Sequence, residues 1–336
     1  MPTSLALRHS RPCPSVSCGR SRPNGSSSTS SCSPWSGPAG YTLSGRSACE
    51  DGSLPVSHGR KTLIDYHIHT RFSEDSLATP EECVADAAER GLGGVIFTEH
   101  LEFPPPPDWP EPAYHPGRVL DARAYQEAVS AVRDRWAGTL DVGLGAELGL
   151  EPHNLKALGP YLDTYDPGFD IVIGSLHSIR GVLVQLPEYT DPLGPQAASR
   201  EYFGSLYAGV REAVRMRAFD VLGHLDLVKR SPTFGVFRAG DHRELLREIL
   251  VTIIREGLGV EVNTSGYRQP PGEPYPGLET LRLFRELGGE IVTVGSDSHR
   301  AATVGQESAR ALDFIRAAGF RRLALFRARH PTFVPI

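Results

Sequence analysis

The sequence has no long hydrophobic run and little cysteine beyond its first fifty residues. Its 336 residues are 40% hydrophobic and 22% charged. No stretch of about 18 apolar residues occurs, so we expect no membrane-spanning segment and a cytoplasmic protein. Four of the five cysteines lie at positions 13, 18, 32 and 49, and only Cys83 lies further on. This excludes a disulfide framework beyond the first fifty residues, and no histidine pair follows the early cysteines at zinc-finger spacing.

The chain also lacks an excess of positive charge. Its net charge is −5, and residues 1–60 carry six Arg against two acidic residues, so the remainder has a balance of −9 (29 basic minus 38 acidic). An acidic surface disfavours nucleic acid as a partner, because that affinity depends mainly on Lys and Arg. A small phosphorylated metabolite needs only a local group of basic residues. The oligomeric state is left open.

Residues 1–60 differ in composition from the rest of the chain. They contain sixteen Ser, seven Pro and seven Gly, with little periodic apolar content. We predict a disordered tail here, succeeded by one folded domain over residues 61–336. The tail is rich in Arg and Ser, as transit peptides are, but shows no clear amphipathic helix. It is interpreted either as a targeting segment or as upstream sequence from a misplaced start.

From Lys61 onward, short apolar runs alternate with longer helical patterns. Strands are predicted at residues 62–66, 94–98, 140–146, 170–174, 219–223, 259–263 and 290–295. Helices are predicted at 80–90, 122–136, 155–163, 200–217, 242–256, 277–287 and 304–318. This α/β alternation predicts parallel strands joined by right-handed crossovers. Seven such units in about 270 residues favour a closed or nearly closed barrel over an open sheet.

Local signals support several of these boundaries. Thr79 and Pro80 are typical of a helix start, and Gly91 of a helix end. Asp241 is predicted to cap the helix that begins at residue 242. The loop over residues 102–118 contains four consecutive prolines at 104–107, which predict a rigid rim segment. A short hairpin over the site is expected within residues 181–198.

Polar side chains follow every predicted strand. In chain order they are His67, His69 and Asp75; Glu99 and His100; Glu147; His177; His224 and Asp226; Asn263 and Arg268; and Asp297 and His299. The carboxyl ends of all strands of a βα barrel meet at one face, so six histidines and several carboxylates are expected in one pocket. Unpaired buried charges are costly, and metal coordination compensates them. The sequence therefore predicts a metal cluster.

The candidate ligands are too many for one ion. A catalytic zinc takes three protein ligands, so we expect two or three divalent ions, with Glu147 able to bridge. Imidazole and carboxylate ligands without thiolate suit Zn, Mn or Fe equally. The remaining histidines are assigned structural or solvent-exposed roles: His9, His58, His115, His153, His242 and His330.

These motifs together resemble the PHP (polymerase and histidinol phosphatase) superfamily. The residues that carry the resemblance are His67-x-His69, Glu99-His100, Glu147, Gly174-Ser-Leu-His177, Gly223-His224 and Ser296-Asp297-Ser-His299. Segments 65–75, 98–100 and 174–179 resemble the monofunctional histidinol-phosphatase branch. The similarity extends from residue 62 to the last predicted helix and leaves out residues 1–60. It implies a distorted (β/α)7 TIM-like barrel with a trinuclear metal site.

The resemblance also implies three ligand sets. The first ion would be bound by His67, His69, Glu147 and Asp297, the second by Glu147, His177 and His224, and the third by Asp75, His100 and His299. Some members of the superfamily have His where this chain has Asp75. The phosphatase branch often has Asp there, which favours the narrower assignment.

The implied reaction is hydrolysis of L-histidinol phosphate to L-histidinol and phosphate in histidine biosynthesis. A metal-bound water would attack phosphorus in line, and the proton donor to the leaving group is not assigned. Arg268 and Lys229, with Arg180 behind them, are the candidate phosphate contacts. Glu99 would support His100 and Asp226 would support His224, although an ion pair or helix cap explains either carboxylate equally well.

Three alternative functions remain open. One is a PHP phosphoesterase with another phosphorylated substrate, such as a nucleotide or a nucleic-acid 3′ end; the acidic composition and the missing polymerase module weigh against the nucleic-acid end. A second is a metal-binding PHP module without turnover. A competent residue stands at every expected ligand position, which argues against this alternative. A metal-dependent amidohydrolase is compatible by fold analogy alone.

Overall fold

A parallel sheet of seven strands organises the molecule. The structure, a computed structural model, describes residues 63–105, 119–164 and 168–336. Its strands are β1 (Ile64–Asp65), β2 (Gly94–Leu101), β3 (Asp141–Gly149), β4 (Ile171–Ser175), β5 (Ser178–Ile179), β6 (Val182–Leu183), β7 (Val221–Leu222), β8 (Gly259–Asn263), β9 (Val292–Gly295), β10 (Arg322–Arg327) and β11 (His330–Pro335). The parallel sheet has the order β1-β2-β3-β4-β7-β8-β9. The predicted α/β barrel architecture is confirmed.

The two ends of this sheet meet and close the barrel. The amide of Tyr66, just past β1, donates to the carbonyl of Val294 on β9 over 2.9 Å. Asp65 holds the same seam, because its carboxylate accepts from the amides of Ser296 at 2.8 Å and Gly305 at 2.7 Å. Side-chain oxygens thus replace part of the strand pairing between the first and last strands. The carboxyl ends of all seven strands are thereby held around one opening.

Helices surround the sheet. They are α1 (Pro80–Glu89), α2 (Ala122–Arg135), α3 (Pro152–Thr164), α4 (Pro187–Thr190), α5 (Pro195–Arg215), α6 (Arg243–Arg255), α7 (Leu278–Glu286) and α8 (Ser308–Ala317). The start of α1 is as predicted: Thr79 and Glu82 form a reciprocal capping box around Pro80. None of the described helices is long and apolar enough to cross a membrane.

Two predicted helix starts are wrong. Asp241 does not cap α6, because it lies inside a 3-10 helix, Ala239–His242, that leads directly into Arg243. Helix α5 begins at Pro195, well before the predicted residue 200. Gly194 adopts a φ of 73°, which turns the chain so that Pro195 can take the first helical position.

The two predicted loops have different outcomes. The hairpin over the site exists as β5 and β6, which pair antiparallel. It lies at residues 178–183, directly after His177, rather than within residues 181–198, where α4 and the start of α5 are found. Most of the proline-rich segment lies outside the described residues, as do the predicted tail at 1–60 and His115.

A terminal hairpin, missed by the sequence analysis, fills the opposite end of the barrel. Strands β10 and β11 pair antiparallel. Phe326 packs in a buried cluster with Ile64, Ile96 and Ile173, and its amide donates to the Tyr66 hydroxyl over 2.9 Å. Arg329 and the Ala328 amide bind carboxylates that precede β7 and β4. The hairpin therefore seals the amino-terminal end of the barrel and leaves the carboxyl end open.

The hairpin offers a test of this sealing role. Phe326 is 2% exposed and Phe333, on the partner strand, is 37% exposed. Phe326→Ala is expected to lower the free energy of unfolding by about 3–5 kcal/mol, because it leaves a cavity in the barrel floor. Phe333→Ala, the matched control, should cost less than about 1 kcal/mol. Urea denaturation followed by circular dichroism measures both, and equal losses would contradict the assignment.

Candidate metal centre

The open end of the barrel collects histidines and carboxylates from its strands. His67 and His69 lie on the extended chain after β1, where side chains two residues apart share a side. Glu99 and His100 lie on β2, and Glu147 lies on β3, because both strands run further than predicted. The nine predicted metal ligands come together here: His67, His69, Asp75, His100, Glu147, His177, His224, Asp297 and His299.

The buried carboxylate of Glu147 is the centre of this group. Five histidine nitrogens surround its two oxygens. The Oε2 atom lies 3.2 Å from His67 Nε2, 3.4 Å from His69 Nε2 and 3.1 Å from His100 Nδ1, whereas Oε1 lies 3.1 Å from His177 Nε2 and 2.8 Å from His224 Nε2. One carboxylate thus faces five imidazole nitrogens from four segments of the chain, an arrangement suited to a bridging ligand.

Two aspartates complete the outer part of the group. Asp75 Oδ2 lies 2.9 Å from His299 Nε2 and 3.5 Å from His100 Nε2. Asp297 Oδ1 lies 3.7 Å from His69 Nε2 and 3.6 Å from His299 Nδ1. Asp75 is partly open to solvent and the Asp297 side chain is buried. The predicted third set, Asp75 with His100 and His299, is therefore contiguous with the inner ligands.

The donor set fits divalent ions. Glu147 Oε2, His67 Nε2, His69 Nε2 and His100 Nδ1 are buried and have no hydrogen-bond partner among the described residues, although they crowd together. Four groups bring their ligand atoms within 4.8 Å of one another: His67, His69 and Glu147; Glu147, His177 and His224; His69, His100 and His299; and His100, Glu102 and His177. Buried lone pairs that converge without donors are compensated by a cation.

Two carboxylates that the sequence analysis missed contact predicted ligand histidines at the ring nitrogen that faces away from Glu147. Glu261 Oε1 lies 2.6 Å from His67 Nδ1, and Glu102 Oε1 lies 2.5 Å from His177 Nδ1. Each contact occupies one ring nitrogen and turns Nε2 toward Glu147, as outer partners of metal ligands do. The available signal was the two-residue spacing of Glu102 from His100 on an extended chain.

The predicted supporting carboxylates bind elsewhere. Glu99 does not contact the His100 ring; it accepts from the hydroxyls of Thr70 and Ser73, both over 2.6 Å. Asp226 forms an ion pair with Lys229 at 3.0 Å, and His224 Nδ1 has no hydrogen-bond partner among the described residues. The sequence left open whether Asp226 supports His224 or forms a structural ion pair, and the contacts favour the ion pair.

The predicted phosphate contacts also need correction. The Lys229 side chain is 2% exposed and binds Asp226 and Glu273, each at 3.0 Å, so its charge is already balanced away from the cluster. The Arg180 side chain is 67% exposed and is held by Glu201 at the hairpin turn. Of the three candidates, Arg268 remains, and it donates to the Ser296 carbonyl beside Asp297.

A second arginine, not predicted, reaches the cluster. Arg230 Nη2 lies 3.1 Å from Asp297 Oδ2 and donates to the Ser265 hydroxyl over 2.8 Å. Its Nε and Arg268 Nη1 are buried without a hydrogen-bond partner in the described part of the chain. The chain therefore places two guanidinium groups beside Asp297, a predicted ligand.

Histidines outside the cluster have ordinary partners. His153 Nε2 lies 3.2 Å from the Phe103 carbonyl oxygen, and His242 Nε2 lies 2.7 Å from the Ser199 hydroxyl. His330 is exposed on β11. These contacts agree with the structural roles predicted for them.

The charges in the cluster shift its pKa values in opposite directions. Burial alone would lower the pKa of His67 and His177, but neighbouring carboxylates outweigh it: the pKa of His67 is well above its ordinary value and that of His177 is raised to about 10. Burial and the adjacent imidazoles of His100 and His299 lower the pKa of His69. Burial opposes ionisation of Glu147, yet the surrounding histidines hold its pKa well below the usual range.

A parallel barrel with convergent imidazole and carboxylate ligands defines the class of metal-binding α/β barrels. The PHP domain family matches residues 65–265 of this chain. A probable histidinol-phosphatase of Deinococcus radiodurans is 33% identical over 267 residues, which cover 80% of this chain and 97% of that protein. The histidinol-phosphatase of Lactococcus lactis is 29% identical over 268 residues, covering 78% and 94% respectively.

Solved structures agree with these relatives. The crystal structure of histidinol phosphate phosphatase from Lactococcus lactis, in complex with zinc, L-histidinol and phosphate, superposes with a TM-score of 0.71 at 28% identity. The match covers 81% of this chain and 99% of that one. A Listeria monocytogenes structure with 22% identity and a TM-score of 0.62 shares the fold. This chain belongs to the PHP domain family.

Proton release should accompany metal binding. Burial lowers the pKa values of His67, His100 and His177, but the neighbouring carboxylates outweigh it and raise them, that of His177 to about 10. An ion binds only the neutral imidazole, so it must displace these protons, and metal affinity should fall as pH is lowered from about 8 to about 6. Isothermal titration calorimetry with Mn²⁺ in buffers of different ionisation enthalpy counts the protons. Affinity that does not change over this range would contradict the assigned charges.

Proposed function

We propose that this chain is a metal-dependent phosphomonoesterase that hydrolyses L-histidinol phosphate to L-histidinol and phosphate, as a step of histidine biosynthesis. The observation that carries the proposal is the single carboxylate of Glu147 facing five imidazole nitrogens at the mouth of a PHP barrel. Full-length similarity to histidinol-phosphatases, one with L-histidinol and phosphate bound, supports the choice of substrate.

The ligands are proposed to act in three sets. His67, His69, Glu147 and Asp297 would hold one ion, Glu147, His177 and His224 a second, and Asp75, His100 and His299 a third. The first two sets agree with the groups whose ligand atoms lie close together, and the short Asp75–His299 contact supports the third. Zinc in the Lactococcus lactis structure makes a divalent ion the natural cofactor; Mn and Fe suit the same ligands.

The residues of the chain prepare the site for phosphoryl transfer. Divalent ions bound there activate water and neutralise charge on the phosphoryl oxygens. Arg268 and Arg230 supply fixed positive charge next to Asp297, where a phosphate would accept hydrogen bonds from their free edges. Glu261 and Glu102 keep His67 and His177 oriented, so the ligands need not rearrange when substrate binds.

The class of partner and the cellular location that we infer agree with the proposed function. The substrate is a small phosphorylated metabolite, and the acidic composition beyond residue 60 disfavours nucleic acid as a partner. A cytoplasmic location suits an enzyme of amino-acid biosynthesis with one buried free cysteine, Cys83, in the described residues.

A substrate panel tests the proposed function. With Zn²⁺, Mn²⁺ or Fe²⁺ supplied, kcat/KM for L-histidinol phosphate is expected to exceed that for p-nitrophenyl phosphate and nucleoside monophosphates by about 100-fold or more, because the site must fit the whole substrate. His177→Ala removes a ligand and should abolish turnover of every substrate. Preference for a nucleotide would support the alternative phosphoesterase, and full activity of His177→Ala would contradict the metal centre.

Lys229 and Arg230 are neighbours in sequence with separable roles. Arg230→Ala is expected to lower kcat/KM by about 100-fold, because a fixed charge facing the phosphate is lost, with little change in stability. Lys229→Met leaves the buried Asp226 unpaired and should cost about 3–5 kcal/mol of stability, while kcat/KM of the folded protein is kept. Steady-state kinetics and urea denaturation of both variants give the comparison. The reverse pattern would restore Lys229 as the phosphate contact.

A further inference from the structure

A buried hydroxyl connects one metal-ligand histidine to a carboxylate on the next strand. Ser73 Oγ donates to Glu99 Oε2 over 2.6 Å. The same oxygen lies 3.2 Å from His69 Nδ1 and accepts from the His100 amide over 3.0 Å. Ser73 therefore contacts both His69 and His100, although the sequence analysis predicts no role for it.

The number of protons fixes the direction of these hydrogen bonds. A serine hydroxyl has one hydrogen, and the 2.6 Å contact to the Glu99 carboxylate uses it. The Ser73 oxygen is then only an acceptor toward His69, so His69 Nδ1 must carry the proton. His69 Nε2 is left with its lone pair directed at Glu147, 3.4 Å away. One hydroxyl thus sets the tautomer of a metal ligand.

Glu99 is placed to hold Ser73 in this orientation. Its side chain is completely buried and accepts from the Thr70 amide as well as from the hydroxyls of Thr70 and Ser73. These donors take the place that a lysine or arginine would occupy in an ion pair. A buried carboxylate bound by hydroxyls and an amide is costly unless those donors are fixed. The contacts therefore rigidify the loop that carries Ser73.

The same principle operates at two other ligands in simpler form. Glu261 contacts His67 Nδ1 directly, and Glu102 contacts His177 Nδ1 directly. At His69 the carboxylate is one hydroxyl further away. Glu99, acting through the Ser73 hydroxyl, therefore orients the His69 ring in the way that Glu261 and Glu102 orient the rings of His67 and His177 by direct contact.

We propose that Ser73 and Glu99 are positioning residues that act together, through the Ser73 hydroxyl, to fix the tautomer and orientation of His69 for metal binding. The inference rests on the proposed function only in taking His69 to be a metal ligand. It assigns Glu99 to His69 rather than to the ring of His100. Neither residue touches substrate.

A matched pair of serine variants tests the inference. Ser73→Ala removes the contact to the His69 ring, and metal affinity is expected to fall by about 10- to 100-fold, with kcat recovering at excess metal. Ser76 lies in the same loop and is equally buried, but its Oγ faces the carbonyl oxygens of His69 and His299, at 3.1 Å and 3.0 Å, and no imidazole ring. Ser76→Ala should therefore keep wild-type metal affinity. Buffered Zn²⁺ or Mn²⁺ with metal analysis by mass spectrometry measures both.

Further variants separate positioning from folding. Ser73→Thr keeps the hydroxyl and should restore metal affinity. If Ser73→Ala fails to fold, Glu99→Gln carries the test, since an amide facing Ser73 would donate to its oxygen and reverse the hydroxyl; the same loss of affinity is expected. Wild-type affinity in Ser73→Ala, or an equal loss in Ser76→Ala, would overturn the inference. Absence of metal binding or turnover in the wild type would instead overturn the proposed function.

Discussion

The burial of one carboxylate, Glu147, is the constraint on which the rest of the site depends. An ionised carboxylate removed from water loses several kcal/mol of hydration unless positive charge surrounds it. Five histidines from four segments, rather than lysine or arginine, lie against Glu147 in the described part of the chain. Imidazole serves both as a cation when protonated and as a metal ligand when neutral, so the same contacts suit the protein before and after an ion binds.

A barrel is the fold that can deliver such a group. The five histidines around Glu147 lie between residues 67 and 224, and they are carried by four strands of the parallel sheet, with His67 and His69 both following β1. The seam between β1 and β9 brings His67 close to Asp297, and Asp65 links this seam to the site because its carboxylate also accepts from the His67 amide over 3.2 Å. At the other end, the terminal hairpin occupies the barrel interior and leaves the carboxyl mouth as the open face. The terminal hairpin thus closes the amino-terminal end of the barrel, and the predicted ligands line the open carboxyl end.

The sequence predicts the ligands because the information is local. All of the predicted ligands except Asp75 lie near the carboxyl end of a strand, and parallel topology makes strand ends converge whatever the details of packing. The supporting carboxylates were missed because their partners are distant: Glu102 lies 75 residues from His177 and Glu261 lies 194 residues from His67. The hairpin β10–β11 was missed because the βα period ends before it. Helix starts failed where a 3-10 turn or Gly194 redirected the chain, and such turns depend on the surrounding structure.

Lys229 and Arg230 show most clearly where sequence reasoning stops. Both follow the fifth parallel strand, and both carry a charge suited to phosphate. The 3-10 helix Leu227–Arg230 turns them apart: Lys229 faces Asp226 and Glu273, while Arg230 faces Asp297. Tyr275 lies between them, with Lys229 Nζ 5.1 Å and the Arg230 guanidinium carbon 5.3 Å from its ring centre. The planar guanidinium can bind Asp297 with one edge and keep another for an anion, which a buried ammonium already bound to two carboxylates cannot do.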